Sequence, residues 1–405
     1  MATESSESVS DLEYVPYTTY EVLSGPADAI NILAFSPDGR YLAATGYEGA
    51  FVWDLGAMAV DGPIAPVPTP PQAPGSSCIW TAAAWVHLKF SKRELLLLGS
   101  LSGEVTIWFL DYELRIDPKV PQECDTLVSG IQIDDRHTDV DRQIVSLAAN
   151  RDTLSQQGQD FRIACATMNG TVVVLQVSAQ GEPYVLCRID NSAPESFRPR
   201  SLAFAASADE LFTFSLGGVF KKYDMSGHNI WTKEEGPKFM VSVVLLDDHR
   251  CVAQTGNNLS LVSLDDASIL QEYKVGPKVI QYPKGVAIAE GGTLVVCTVL
   301  QELPYHDPYN GGLLVQPVAA CMSNGRPVVA TAGSTREEAS HVHIWRKDLD
   351  SVDGQDGDES LAQRDRDGLR GIAHKAVGIA CGCLFVWLFP WPDCILEPLT
   401  RYAVY

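Results

Sequence analysis

Residues 25–55 read GPADAINILAFSPDGRYLAATGYEGAFVWDL, and three apolar runs of strand length lie in them between turn signals. Ile30 to Phe35 is the first run, Tyr41 to Thr45 the second and Ala50 to Leu55 the third. Ser36-Pro37-Asp38-Gly39 and Glu48-Gly49 separate them. Proline fixes φ, aspartate bonds its own backbone and glycine accepts left-handed geometry, so both separators reverse the chain. Short apolar runs divided by such turns predict antiparallel strands joined as a meander.

The unit recurs along the chain. Residues 80–110 give WTAAAWVHLKF, SKRE, LLLLGS and LSGEVTIWFL, and 143–177 give QIVSLAA, a longer turn, RIACATM and NGTVVVLQV. Residues 201–224 and 240–264 are further copies, a sixth starts at Gly285, and a seventh ends in RPVVATAG and HVHIWR around Trp345. In several copies a glycine stands five positions before a large residue, as in Gly103 and Trp108, Gly170 and Leu175, and Gly218 and Tyr223; Gly49 and Trp53 are one residue closer. Gly-Pro marks the joins at Gly25-Pro26, Gly236-Pro237 and Gly276-Pro277, the last two 40 residues apart. That interval is the length of one propeller blade, and residues 24–346 hold about seven of them.

FSPDGRYLAATG, EG and VWDL, with the dipeptide Trp53-Asp54, resemble the WD-repeat β-propeller family. Trp108 and Trp345 hold the tryptophan position without the aspartate, and Tyr223-Asp224 keeps the aspartate. The resemblance covers about 320 residues and implies an all-β chain, a single β-propeller of seven four-stranded blades over residues 15–347. Tyr17 to Leu23 alternates like a strand, so ring closure by this N-terminal strand, as the outer strand of the last blade, is expected. Two departures matter. Gly-Pro replaces the family's Gly-His, and Glu48, Ser102 or Asn169 replaces its turn aspartate. The buried His-Asp-Ser/Thr-Trp network of the family is therefore expected to be absent, leaving apolar packing to hold the blades.

The 405 residues carry 51 acidic against 30 basic side chains, a net charge of −21, so an unaided nucleic-acid binder is excluded. Most of the charge is local: residues 1–20 contribute −4, 111–142 contribute −5 and 348–367 contribute −6. The ring itself is close to neutral. An acidic N-terminus (1–14), a proline-rich insertion (62–77), an acidic connection (111–142), an acidic linker (348–370) and an apolar tail (371–405) complete the domain reading. The insertion has PxxP spacings but no Lys or Arg between Arg40 and Lys89, so a stiff solvated loop is favoured over a docking peptide. Asp353, Asp356 and Asp358 lack the glycine and the twelfth-position glutamate of a calcium loop. Within the tail, Ala376 to Phe389 is an uninterrupted apolar run of 14 residues, short of the 20 or so a spanning helix needs. Residues 376–396 leave two readings open: membrane association, with acylation of Cys381 and Cys383, or an apolar segment folded back on the propeller. The ten cysteines form no CxxC pair, and the N-terminus has no basic-then-apolar leader, so reduced, structural thiols and a cytoplasmic or nuclear location are expected.

No GxSxG, HExxH, Walker or dinucleotide motif is present in a fitting context, and no cofactor or metal is expected. His341 and His343 share a strand face without a third ligand, so packing is favoured over metal binding. Arg198, Arg200, Lys238 and Lys278 precede inner strands, and in the family those connections line one rim. Four cations there would form a positive arc suited to an acidic peptide. The expected function is a non-catalytic, monomeric scaffold or adaptor that binds other proteins or peptides through rims and inserted loops. Two alternatives are a propeller enzyme of lactonase or glycosidase type, against which the apolar inner strands INILAF, SLAFAA, SVVLLD and GVAIAE count, and a tail-anchored membrane adaptor.

Overall fold

The computed structural model describes residues 17–26, 29–46, 49–56, 79–88, 93–110, 129–133, 142–150, 160–178, 182–190, 197–255, 258–274, 285–290, 294–298, 314–334, 340–347, 376–379 and 384–388. The first strand, β1 (Tyr17–Ser24), precedes blade 1, formed by β2 (Ile30–Phe35), β3 (Tyr41–Gly46) and β4 (Gly49–Asp54). Blade 2 is β5 (Trp80–Leu88), β6 (Arg93–Ser100), β7 (Glu104–Leu110) and β8 (Ser129–Gln132). Blade 3 is β9 (Ile144–Ala149), β10 (Phe161–Thr167), β11 (Thr171–Val177) and β12 (Pro183–Asp190). Blade 4 is β13 (Pro199–Phe204), β14 (Glu210–Ser215), β15 (Phe220–Asp224) and β16 (Asn229–Lys233). Blade 5 is β17 (Met240–Leu245), β18 (Arg250–Thr255), β19 (Asn258–Ser263) and β20 (Ile269–Lys274). After the hairpin β21 (Val286–Ala289) and β22 (Leu294–Thr298), blade 6 is β23 (Leu314–Ser323), β24 (Arg326–Ser334) and β25 (His341–Lys347), with β1 paired antiparallel to β25 from Tyr17↔Lys347 to Ser24↔His341.

The hairpin β21–β22 belongs to a composite sheet whose other strands are β26 (Ala376–Ile379) and β27 (Leu384–Leu388), with β27 lying against β22. The expectation of seven like units in sequence is therefore corrected. Six sheets are blades of the repeat, blade 1 showing three described strands, and in the remaining sheet β22 takes as its neighbour β27, from far along the chain. The sequence of β27, LFVWL, is aromatic and β-branched, the composition that suits a strand. The apolar run thus supplies strands, and among the described residues no helix is long and apolar enough to cross a membrane. The N-terminus, the proline-rich insertion and the acidic linker lie outside the described residues, as does nearly all of the acidic connection.

Inner strands β2, β5, β9, β13, β17, β21 and β23 pack in chain order, and β23 returns to β2. Each sheet stands between two neighbours, so its middle strands are buried on both faces. Leu95 to Leu98 show the consequence, being fully buried in succession. Leu95 and Leu97 enter the core between blades 2 and 3, Leu96 and Leu98 the core between blades 1 and 2, and each stabilises by about 2 kcal/mol. The glycines that begin the third strands have left-handed φ, from 85° at Gly218 to 120° at Gly49, which explains their regular spacing.

Polar stitching accompanies the apolar seams, contrary to the expectation of apolar packing alone. Asn31 donates to the Trp80 carbonyl at 3.4 Å, Thr81 to the Ile144 carbonyl at 2.6 Å and Ser201 to the Val243 carbonyl at 3.1 Å. The Ser146 hydroxyl accepts from the Leu202 N–H at 3.1 Å and that of Ser242 from the Val286 N–H at 3.3 Å. Five consecutive seams are thus each crossed by one inner-strand side chain. Within blade 6 a buried side-chain bond joins neighbouring strands, Trp345 Nε1 donating to Thr331 Oγ1 at 3.0 Å.

Candidate partner-binding rim

Antiparallel order puts the entry to each inner strand on the same rim as the turn between its sheet's second and third strands. Arg198 and Arg200 stand at the entry to β13, and Lys238 at the entry to β17; Lys278 lies outside the described residues. The first three flank one turn of blade 4. Pro199 is the register partner of Ser215, and the Phe239 N–H donates to the carbonyl of Leu216, the next residue, at 2.8 Å. A tight fit fixes this neighbourhood: a Cβ on Gly218 would meet the Gly236 carbonyl oxygen at 2.4 Å.

Each cation has a distinct setting. Arg198 and Lys238 are exposed, while Arg200 is half-buried at the bulge between Pro199 and Ser201. Bulges re-aim a side chain out of the ladder. Burial first, and the charge of Arg198 second, pull the Arg200 guanidinium below its ordinary value. Lys221 of β15 lies over the ring of buried Phe197 at 4.2 Å, and burial lowers its pKa against the opposing charge of Glu234.

Sequence reading missed Phe239. It is 60% exposed and holds φ at 62°, a conformation strained for a bulky side chain. Nothing in GPKF announces that angle. Arg142, half-buried before β9, is a further rim cation that the inner-strand rule could have found.

On the opposite rim, aspartates organise the turns. Arg40 holds Asp54 through Nε at 3.1 and 3.2 Å and its terminal nitrogen at 3.0 Å. Asp224 takes bonds from Ser226 and His228 that lower its carboxyl to about 2. Near the same rim, fully buried Glu94 of β6 faces His87 Nδ1 across the strand pair, and its Oε2 has no hydrogen-bond partner. Burial pushes the Glu94 carboxyl up to about 7, with Asp38 adding to the rise and His87 and Arg40 opposing it.

Among the described residues no three His, Cys, Asp or Glu side chains are grouped to hold a metal. His341 is exposed, and half-buried His343 stacks on Trp345 with ring centroids 6.0 Å apart.

Structural similarity decides the architecture. A chain of the mitotic checkpoint complex superposes with a TM-score of 0.54 at 14% identity, covering 85% of this chain and 96% of its own length. The WD40 β-propeller domain of Doa1 superposes with a TM-score of 0.53 at 14% identity, covering 82% and 97% respectively. The fold is that of a WD40 β-propeller. No family model matches the sequence, and no curated protein matches it either. The WD40 architecture is therefore carried here with few of its usual signature residues: of the described tryptophans on third strands, only Trp53 is followed by aspartate.

Proposed function

We propose that this propeller is a non-catalytic scaffold and that the rim around blade 4 binds an acidic segment of a protein partner. The observation that carries the reading is Phe239, a large apolar side chain exposed in a strained backbone conformation beside exposed Lys238. Strain of this kind persists where the surroundings enforce it and clusters at binding sites. Arg198 and Arg200 sit across the same turn, so an acidic chain with one apolar residue meets complementary charge and an aromatic anchor together. One solved relative in fold is a chain of a checkpoint complex, an assembly of proteins. The ring that presents this rim is held closed, in this reading, by the pairing of β1 with β25.

The test is affinity capture from native cell extract with the full-length chain, quantified by mass spectrometry, alongside Phe239→Ala and Lys238→Glu. Stoichiometric partners lost from both variants, whose melting temperatures match the parent, support the rim. Partners retained equally by both variants overturn it.

A further inference from the structure

Asn-Gly occurs three times in the chain, at Asn169-Gly170, Asn310-Gly311 and Asn324-Gly325; the second lies outside the described residues. The dipeptide carries its own chemistry. The backbone nitrogen of the glycine can close a five-membered ring on the asparagine carboxamide carbon, and glycine has no Cβ to obstruct the approach. In a folded protein the outcome depends on whether local bonds hold the two groups apart.

The two described copies are held in opposite ways. At the turn between β10 and β11, the Asn169 carboxamide oxygen accepts from the Thr167 hydroxyl and, at 3.0 Å, from the Thr171 N–H. The N–H of buried Gly170 donates to the Thr167 carbonyl at 3.0 Å. Carboxamide and nitrogen are both tied, so this turn must open before they meet. Asn324 and Gly325 form the two-residue loop between β23 and β24, where Ser323 pairs with Arg326. Their φ values are 52° and 75°, both left-handed as a tight hairpin of this kind requires. Both residues are exposed, and a Cβ on Gly325 would meet nothing within 4 Å. Among the described residues no hydrogen bond restrains the Asn324 carboxamide.

We propose that Asn324-Gly325 is a site of spontaneous covalent modification, deamidating through a succinimide, while Asn169-Gly170 is kept intact by its turn. The Gly325 nitrogen bonds to the Asn324 carboxamide carbon and gives up its proton, and the side-chain nitrogen leaves as ammonia. Solvent water then opens the ring at one carbonyl or the other, giving aspartate or isoaspartate, with no change of oxidation state. In isoaspartate the main chain runs through the side-chain carbon, so one extra atom enters a two-residue turn and Ser323 no longer faces Arg326. That turn is closely seated against blade 1. A Cβ on Gly39, between β2 and β3, would meet Ser323 Cβ at 2.8 Å and Cys321 Sγ at 2.9 Å. Isoaspartate at position 324 therefore disturbs the contact between blades 6 and 1.

The experiment ages the full-length chain in mildly alkaline buffer, with a urea-denatured sample beside it, and maps peptides by mass spectrometry after digestion at acidic pH. In the folded chain the peptide holding Asn324 should gain about 1 Da and separate into aspartate and isoaspartate forms. The peptide holding Asn169 should gain it at least about tenfold more slowly, because the bonds of its turn must break first. In urea the two should react alike. A protein-isoaspartate methyltransferase should methylate the aged chain within the Asn324 peptide. Equal rates at the two sites in the folded chain overturn the protection of Asn169, and an Asn324 that reacts only in urea overturns the site. The isoaspartate fraction, isolated by anion exchange, should melt below the fresh chain, whereas Asn324→Asp, which carries the charge without the extra backbone atom, should melt with the parent. An isoaspartate fraction that melts with the fresh chain overturns the effect on the contact between blades 6 and 1.

Discussion

Glu94 has no solvent exposure and one carboxylate oxygen without a partner, so its protonation is tied to folding. Its folded value, about 7, lies above the ordinary 4.5. The folded chain therefore binds an extra proton between those values, and the stability this contributes is complete at the acidic end and lost as pH rises through 7. Glu94→Gln keeps the shape and removes the titration. Chemical denaturation should show the parent losing on the order of 2 kcal/mol between about pH 5 and about pH 8, with the variant flat across that window. A parallel slope in both proteins would show that other groups set the pH dependence. Phe239 yields a second expectation. Replacing it with glycine relieves the left-handed strain and should raise stability by about 1 kcal/mol while abolishing partner capture. A lowered melting temperature would instead make Phe239 a structural residue. Neither feature could be read in advance. Arg198, Arg200 and Lys238 were legible because they precede inner strands, but the angle at Phe239 and the burial of Glu94 arise from tertiary packing that no local pattern encodes.

Between blades, the seams combine apolar faces with single hydroxyl or amide bonds. Thr81→Val keeps volume and deletes the bond to Ile144, and Ser201→Ala does the same for Val243. Each should cost about 1 kcal/mol, and the double variant about twice that, since the two seams share no partner. Urea denaturation checks this, and a strongly non-additive result would mean that the ring transmits strain from seam to seam. Gly99 tests the fit of blade 2 against blade 3. A Cβ there would meet Ile144 side-chain atoms at 2.5 and 2.8 Å, so Gly99→Ala should lose about 1–3 kcal/mol. The meanders themselves were plain in the sequence, because short apolar runs and the turns between them, such as Ser36-Pro37-Asp38-Gly39, act within a few residues. The stitching was hidden because Asn31, Thr81, Ser146, Ser201 and Ser242 look like ordinary polar strand positions until the next blade is in place. The composite sheet was hidden for the same reason, its strands β22 and β27 being far apart in the chain.

At the scale of the whole molecule, strands from far ends of the chain pair, β1 with β25. The Tyr17 hydroxyl donates to Glu290 Oε1 at 3.0 Å and Lys347 Nζ pairs with the same oxygen at 2.5 Å. Reciprocal backbone bonds of 2.8 Å join Gly25 and Pro26 to Ser340. Deleting residues 1–24 removes β1 and bares the β25 edge, so the truncated chain should melt lower and self-associate. A synthetic peptide of residues 15–26 should reverse both, as followed by calorimetry and light scattering. A truncated chain as stable and monodisperse as the parent would show that β1 is dispensable. The partners Thr18 and Arg346 are 328 positions apart, which sets a timetable for biosynthesis. At about 5–20 residues per second, the first strand leaves the ribosome roughly half a minute before its partner exists. During that interval Tyr20 and Val22 belong to an unpaired strand, so the nascent chain is most vulnerable while nearly all of it has already been made.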